Sequence, residues 1–134
     1  AGKTKMIGIS NVTADQLTLL CARAAHKPMV VQNRCYAALG WDQDVRTVCR
    51  THGIIYQGFS LLTANRELFA DPEVRAMAAK YGMGLAQLVF RFAMQTGMLP
   101  LTGTTDPQHM QEDLRSDQFA IAPDDLQRLE IIGM

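Results

Sequence analysis

The chain has 134 residues with 13 basic and 13 acidic side chains, is 48% hydrophobic and carries no formal net charge, which describes one soluble domain with a single core and gives no electrostatic reason to expect nucleic acid. No apolar run approaches membrane-spanning length and no secretory signal is visible. Cys21, Cys35 and Cys49 lack C-x-x-C spacing and read as reduced thiols of a cytoplasmic protein, neither a disulfide framework nor a zinc site.

Taken in order, Lys5–Ile9 reads as a short buried strand ending at Ser10-Asn11. Thr13 and Gln16 form a capping box for a helix running to about Ala25, with Leu17, Leu20, Cys21 and Ala24 on one face. Pro28 stops it. Met29–Cys35 is a second strand, apolar at its start and polar at its end, a change suited to a strand opening into a wet cleft. Asp42 is expected to cap the next helix, with Val45, Val48 and Cys49 inward and Gly53 closing it in the left-handed region. Ile54–Ser60 is a third strand, followed by a polar loop over Thr63–Glu67. Asp71-Pro72 starts a helix ending at Gly82, and Gly84–Gln95 make another, with Leu85, Leu88 and Phe92 at helical spacing. Met98–Leu101 is the fourth strand. Thr102-Gly103-Thr104-Thr105 turns into a helix capped by Asp106 with Pro107 first, and a last helix spans Pro123–Ile131. Strands alternating with helices argue for an α/β fold with a parallel sheet, in one unit over residues 1–134.

In parallel α/β folds ligands bind at the carboxyl ends of the strands. Here those ends carry Ser10 and Asn11, Gln32 with Asn33 and Arg34, Phe59 and Ser60, and Gly103, Thr104 and Thr105. Asn11 and Gln32 offer donors and acceptors for a flat carboxamide, and Phe59 offers a ring to stack on. The Gly103 turn and the free N–H groups of the helix after it suit a phosphate. None of these groups is an evident proton donor or nucleophile. Together they make the inventory for a nicotinamide dinucleotide lying across strand ends. Each also has a plain structural use: Ser10-Asn11 as a turn, Gln32 as a satisfied amide, Phe59 as core, Arg34 paired with a carboxylate.

Ile7-Gly8-Ile9-Ser10-Asn11, Val31-Gln32-Asn33-Arg34-Cys35, Gly58-Phe59-Ser60-Leu61-Leu62 and Gly103-Thr104-Thr105-Asp106-Pro107, in that order and spacing, resemble successive strand-end motifs of the aldo-keto reductases. The likeness extends over nearly the whole chain. It implies half of a (β/α)8 TIM barrel, the C-terminal half with strands five to eight: four parallel strands with flanking helices. It also implies a nicotinamide cofactor, NADP or NAD, used to reduce carbonyls. Ser10, Asn11 and Gln32 would hold the nicotinamide carboxamide, and Phe59 stands where the family usually stacks a Tyr. Ser60, Leu62, Gly103, Thr104 and Thr105 would line the pyrophosphate and adenosine path, with His109, Glu112 and Asp113 at the adenosine end.

Three departures stand out. Gly103 and Thr104 replace a common Lys-Ser, His109 replaces Arg and Asp113 replaces Asn, which weakens the grip on a 2′-phosphate. Leu61 stands where Pro is common. The family's Asp, Tyr, Lys and His tetrad, which the resemblance places on strands two to four, aligns with nothing here. Four strands of a barrel leave two open edges and a bare inner face, both of which invite association. Two readings follow: the cofactor-binding half of a reductase, joined to a missing N-terminal half, or a self-associating half-barrel, such as a homodimer, with weak or no nucleotide binding. The chain opens on Ala1 rather than Met, which fits a removed leader or the latter part of a longer protein.

Overall fold

The computed structural model describes residues 2–134. Strands β1 (Gly8–Ser10), β2 (Val30–Arg34), β3 (Ile55–Phe59) and β4 (Met98–Pro100) form one parallel sheet in the order β1-β2-β3-β4. Between them run α1 (Ala14–Arg23), α2 (Gln43–His52), α3 (Pro72–Tyr81) and α4 (Leu85–Gln95), and after β4 come α5 (Pro107–Leu114) and α6 (Pro123–Ile131). Every strand and helix read from the sequence is present. No helix of the described residues is long and apolar enough to cross a membrane.

The helices start and stop where local chemistry dictates. Thr13 and Gln16 close the capping box on α1, and Asp71 accepts from the Glu73 and Val74 amides at the start of α3. Gly53 and Gly82 end α2 and α3 at φ 65°, a conformation that costs a side-chain-bearing residue more than glycine. Asp42 is a correction. It precedes α2 in the left-handed region and its side chain caps nothing. Its carboxylate is taken by the Asn33 amide and the Tyr56 hydroxyl, each at 2.8 Å.

The sheet has two unlike faces. Val31, Asn33 and Cys35 of the β2 segment, Tyr56 and Gly58 of β3 and Met98 of β4 are buried under the helices. Their neighbours in the alternation turn the other way. Register sets Ser10 beside Gln32, Gln32 beside Gln57, Gln57 beside Leu99, and Arg34 beside Phe59. This second face is bare: Ile55 is 49% and Leu99 48% exposed. The expected burial of the first strand is also corrected. β1 holds only Gly8–Ser10, and Met6 and Ile7 are exposed because β1 has a strand on one side only. Gly8 is needed there, since a Cβ would lie 2.9 Å from the Val30 carbonyl oxygen.

The core lies between the sheet and the helices. Trp41 is fully buried, packs at a 48° tilt against Phe92 with 4.7 Å between ring centroids and donates its indole N–H to the Leu129 carbonyl at 2.8 Å. Buried Arg46 meets Glu130 at 2.6 Å and the Thr96 carbonyl at 3.3 Å, so the start of α2 is tied to α6 and the end of α4. Burial raises the Cys35 thiol from 9.0 to about 12 and the Cys49 thiol from 9.0 to about 11, and raises the Tyr56 phenol as well. The folded chain therefore holds these protons more tightly than the unfolded chain. Stability is fully present below pH 9 and falls as pH climbs toward the folded values. Urea midpoints measured under reductant are expected to decline from pH 8 to pH 10.5, less steeply in Cys49→Ala; a flat profile contradicts this account.

Candidate functional site

The polar strand ends converge on the bare face and on the loops at its carboxyl end. The Ser10 hydroxyl donates to the Gln32 carbonyl at 2.8 Å, and the Asn11 amide N–H reaches the same oxygen at 3.1 Å. One carbonyl thus collects the whole β1 tip. Asn11 holds φ 56°, and its side-chain amide bonds to no protein group among the described residues. The Gln32 side chain, half-buried, donates from Nε2 to Gln57 Oε1 at 3.1 Å, leaving its own carbonyl oxygen free. Ser10, Gln32 and Gln57 border a cavity of about 220 Å³ lined also by Gly8, Ile9 and Val30; Asn11 stands outside it at the β1 tip. A free amide at Asn11 and a free amide oxygen at Gln32 offer the donor and acceptor that a flat carboxamide requires.

Further along the same face Phe59 pairs with Arg34, whose guanidinium lies 5.6 Å from the ring centroid. Arg34 makes no ion pair among the described residues; its Nη1 contacts the Tyr36 hydroxyl at 3.4 Å. Ser60, with φ 57°, starts the loop after β3. Leu62 packs partly into the core, and a cavity of about 190 Å³ connects Ser60 and Leu62 with Leu101 and Gly103.

The loops carrying these groups are fixed from the opposite face. Buried Asn33 accepts from the Val12 N–H at 3.0 Å and donates to the Val12 carbonyl and to Asp42, each at 2.8 Å. Asn65 does the same for the next pair, accepting from Ala37 N–H and donating to the Cys35 and Leu61 carbonyls. The two amides clamp the tips of β1, β2 and β3.

The turn after β4 corrects one expectation. The first-turn amides of α5 do not point out free. Pro107 has none, Gln108 and His109 are capped by the Asp106 carboxylate at 2.8 and 3.4 Å, and Met110 N–H goes to the Asp106 carbonyl. The Thr104 hydroxyl accepts from the Asp106 N–H at 3.1 Å. The helix start has thus filled its own anion site with Asp106. Gly103 still faces open space, with nothing within 4 Å of a built Cβ. It borders a mostly apolar slot of about 480 Å³ formed with Phe90, Met94, Pro100, Met110, Leu114 and Asp113. Asp113 accepts from the Thr102 hydroxyl at 2.8 Å and Glu112 from the Gln108 amide at 2.8 Å, while Thr105 and His109 are exposed. No Lys or Arg lies between residues 101 and 114.

The family model described as "Aldo/keto reductase family" matches residues 1–133. The chain belongs to the aldo/keto reductase family. It is 27% identical over 135 residues to aldo-keto reductase family 1 member A1 of Xenopus tropicalis, covering 94% of this chain and 41% of that protein. It is 28% identical over 129 residues to an aldo-keto reductase of Mycobacterium avium, covering 96% and 44%. The structure of an aldo-keto reductase from a Medee basin deep-sea metagenome superimposes with a TM-score of 0.88 at 20% identity, covering 99% of this chain and 50% of that one. An aldo/keto reductase from Brucella melitensis gives 0.82 at 24% identity, covering 96% and 49%. The chain spans less than half the length of these curated relatives and about half of the solved chains. The four-stranded sheet is half of the reductases' eight-stranded barrel.

Within this aldo/keto reductase half-barrel, the structure brings Ser10, Asn11, Gln32 and Phe59 to one face of the sheet or its rim. Ser60, Leu62, Gly103 and Thr104 line the adjoining cavities, and Asp113 lines the slot. Sequence reading missed Gln57 as the partner of Gln32, and Asn33 and Asn65 as the clamps. Gln57 was legible in principle, since it shares the alternation of Phe59. The two Asn roles depend on contacts 21 to 30 residues away, which no local pattern carries. Asn33→Ala leaves the Val12 N–H and C=O unpaired in the interior, and is expected to cost about 3 kcal/mol in urea unfolding. A loss under about 0.5 kcal/mol, the range of an ordinary surface substitution, contradicts the clamp.

Proposed function

We propose that this chain is the cofactor-binding half of an aldo/keto reductase-type oxidoreductase that reduces carbonyl compounds with a nicotinamide dinucleotide. The observation that supports it most is the bare sheet face itself. Along it stand a free amide at the β1 tip, a free amide oxygen on Gln32 and an aromatic ring at Phe59, with the mostly apolar slot beyond Gly103. When bound, the cofactor supplies hydride. This chain's residues hold and orient it: Asn11 and Gln32 the carboxamide, Phe59 the ring, Ser60 and the 103–105 turn the path to the adenosine end.

At the adenosine end the groups present are Glu112, Asp113 and exposed His109, without a fixed cation. That supports NAD at least as well as NADP, since a carboxylate suits a ribose hydroxyl and repels a 2′-phosphate. The resemblance to the family assigns the proton donor for the carbonyl to strands outside this chain, and two of the three tyrosines here point away from the bare face. Tyr56 faces the helices and donates to Asp42, and Tyr81 donates to Asp125 on the outer surface. The strands that close the barrel over the bare face come either from a preceding half of a longer protein, which would carry the tetrad, or from a second copy of this chain, which would not. Three free, buried thiols support a reducing cytoplasmic setting.

Titration of the chain with NADH and NADPH, followed by the fluorescence of the reduced nicotinamide, is expected to show saturable binding that weakens about tenfold in Gln32→Ala. His109→Arg is expected to improve NADPH relative to NADH about tenfold by supplying a guanidinium for the 2′-phosphate. The same protein is expected to turn over no test aldehyde. Absence of saturable binding, or binding indifferent to Gln32, leaves a self-associating, non-catalytic half-barrel as the better reading.

A further inference from the structure

The two open edges of the sheet carry opposite charge. β1 and β4 end the order β1-β2-β3-β4, and each has a strand on one side only. Residues 1–29, which include β1 and α1, hold Lys3, Lys5, Arg23 and Lys27 against Asp15 alone. Residues 98–117, which include β4 and α5, hold Asp106, Glu112, Asp113 and Asp117 against Arg115 alone. None of these groups forms an ion pair among the described residues. Lys3, Lys5 and Lys27 line one cavity of about 730 Å³ with Met6, Ile7 and Met29, and no acid lines it. Both edges also expose large apolar side chains: Met6 and Ile7 before β1, Leu99 on β4, and Met110 and Leu114 on α5. α5 itself buries none of its residues. Folded, the chain exposes 8247 Å², where a monomer of 14.8 kDa exposes about 7,000 Å². The excess of about 1,250 Å² is more than the roughly 800 Å² that each partner gives to a standard interface.

We propose that two copies of this chain close one eight-stranded barrel, the basic β1 edge of each lying parallel to the acidic β4 edge of the other. A twofold axis along the barrel makes both joints at once. The eight strands match the reductase barrel of which this sheet is half. Charge selects this arrangement from the others open to a four-stranded sheet. A twofold axis across the strands joins like edges antiparallel, β1 to β1 or β4 to β4, and sets like charges side by side. Stacking the two bare faces flat leaves all four edges unpaired. The parallel closure joins unlike edges, pairs the free backbone groups of both, and buries Ile55 and Leu99 inside the barrel. The apolar face supplies most of the affinity, and the charges steer the encounter and choose the edges. Closure needs no nucleotide, so it stands or falls apart from the cofactor reading.

The test is sedimentation equilibrium of the 134-residue chain and of two charge-reversed variants. One carries Lys3→Glu, Lys5→Glu and Lys27→Glu, so that both edges are acidic. The other carries Glu112→Lys, Asp113→Lys and Asp117→Lys, so that both are basic. Each variant alone is expected to dissociate about tenfold more readily than the parent chain. An equimolar mixture is expected to recover the parent affinity to within about threefold, as a dimer with one chain of each kind, because every joint then pairs unlike edges. Added salt is expected to weaken the parent dimer and to strengthen each variant alone. The fluorescence of buried Trp41 reports that each variant is folded. A parent chain that stays at 14.8 kDa overturns the second copy as occupant and leaves the face to the strands of a preceding half. Variants that associate alone as tightly as the parent indicate like edges in contact and overturn the edge assignment. A mixture that fails to recover does the same, as does a parent particle that keeps growing beyond two chains. Failure of NADH to bind a chain that dimerises as described counts against the cofactor site and leaves the closure standing.

Discussion

Every other feature of this protein depends on a sheet of four parallel strands laid down in chain order. A parallel connection needs a crossover, and here the helices lie against a single face of the sheet. Val31, Cys35, Tyr56 and Met98 gain a core; Ile55 and Leu99 gain nothing. Sheets built only of parallel strands are ordinarily covered on both faces, and a closed barrel meets that condition by filling its own interior. The half-barrel carries the same strand chemistry without the closure.

That constraint also explains why the polar groups collect where they do. On the helix side, Asn33 and Asn65 satisfy backbone groups at the strand tips, and the Asp42 carboxylate joins Asn33 to Tyr56. These bonds hold the loops so that the opposite face presents Gln32, Arg34 and Phe59 in fixed order along two neighbouring strands. The fixing network and the presented groups occupy alternate residues of the same strands. Side chains positioned in this way do not rely on loop rigidity alone.

Much of this was legible in the sequence because it is local. Capping at Thr13, Asp71 and Asp106, the glycine stops at Gly53 and Gly82, and the polar ends of the strands are written within a few residues of where they act. The strand-end motifs in order carried the family and the half-barrel. What was not legible is what depends on distant partners. Asp42 looked like a cap and instead serves Asn33 and Tyr56. The α5 start looked open to an anion, yet Asp106 fills it, since a good N-cap and an empty anion site compete for the same amides. Arg46 lay unremarked in α2, because Glu130 is 84 residues away. The buried first strand failed because burial of β1 needs a neighbour on its free edge.

The central claim is that the bare face must be covered. Light scattering of the pure 134-residue chain over a range of concentrations tests it most directly. The account predicts a mass near twice the 14.8 kDa of one chain, with the bare faces of two copies closed on each other. A monodisperse particle of 14.8 kDa at every concentration, unfolding cooperatively, would contradict it.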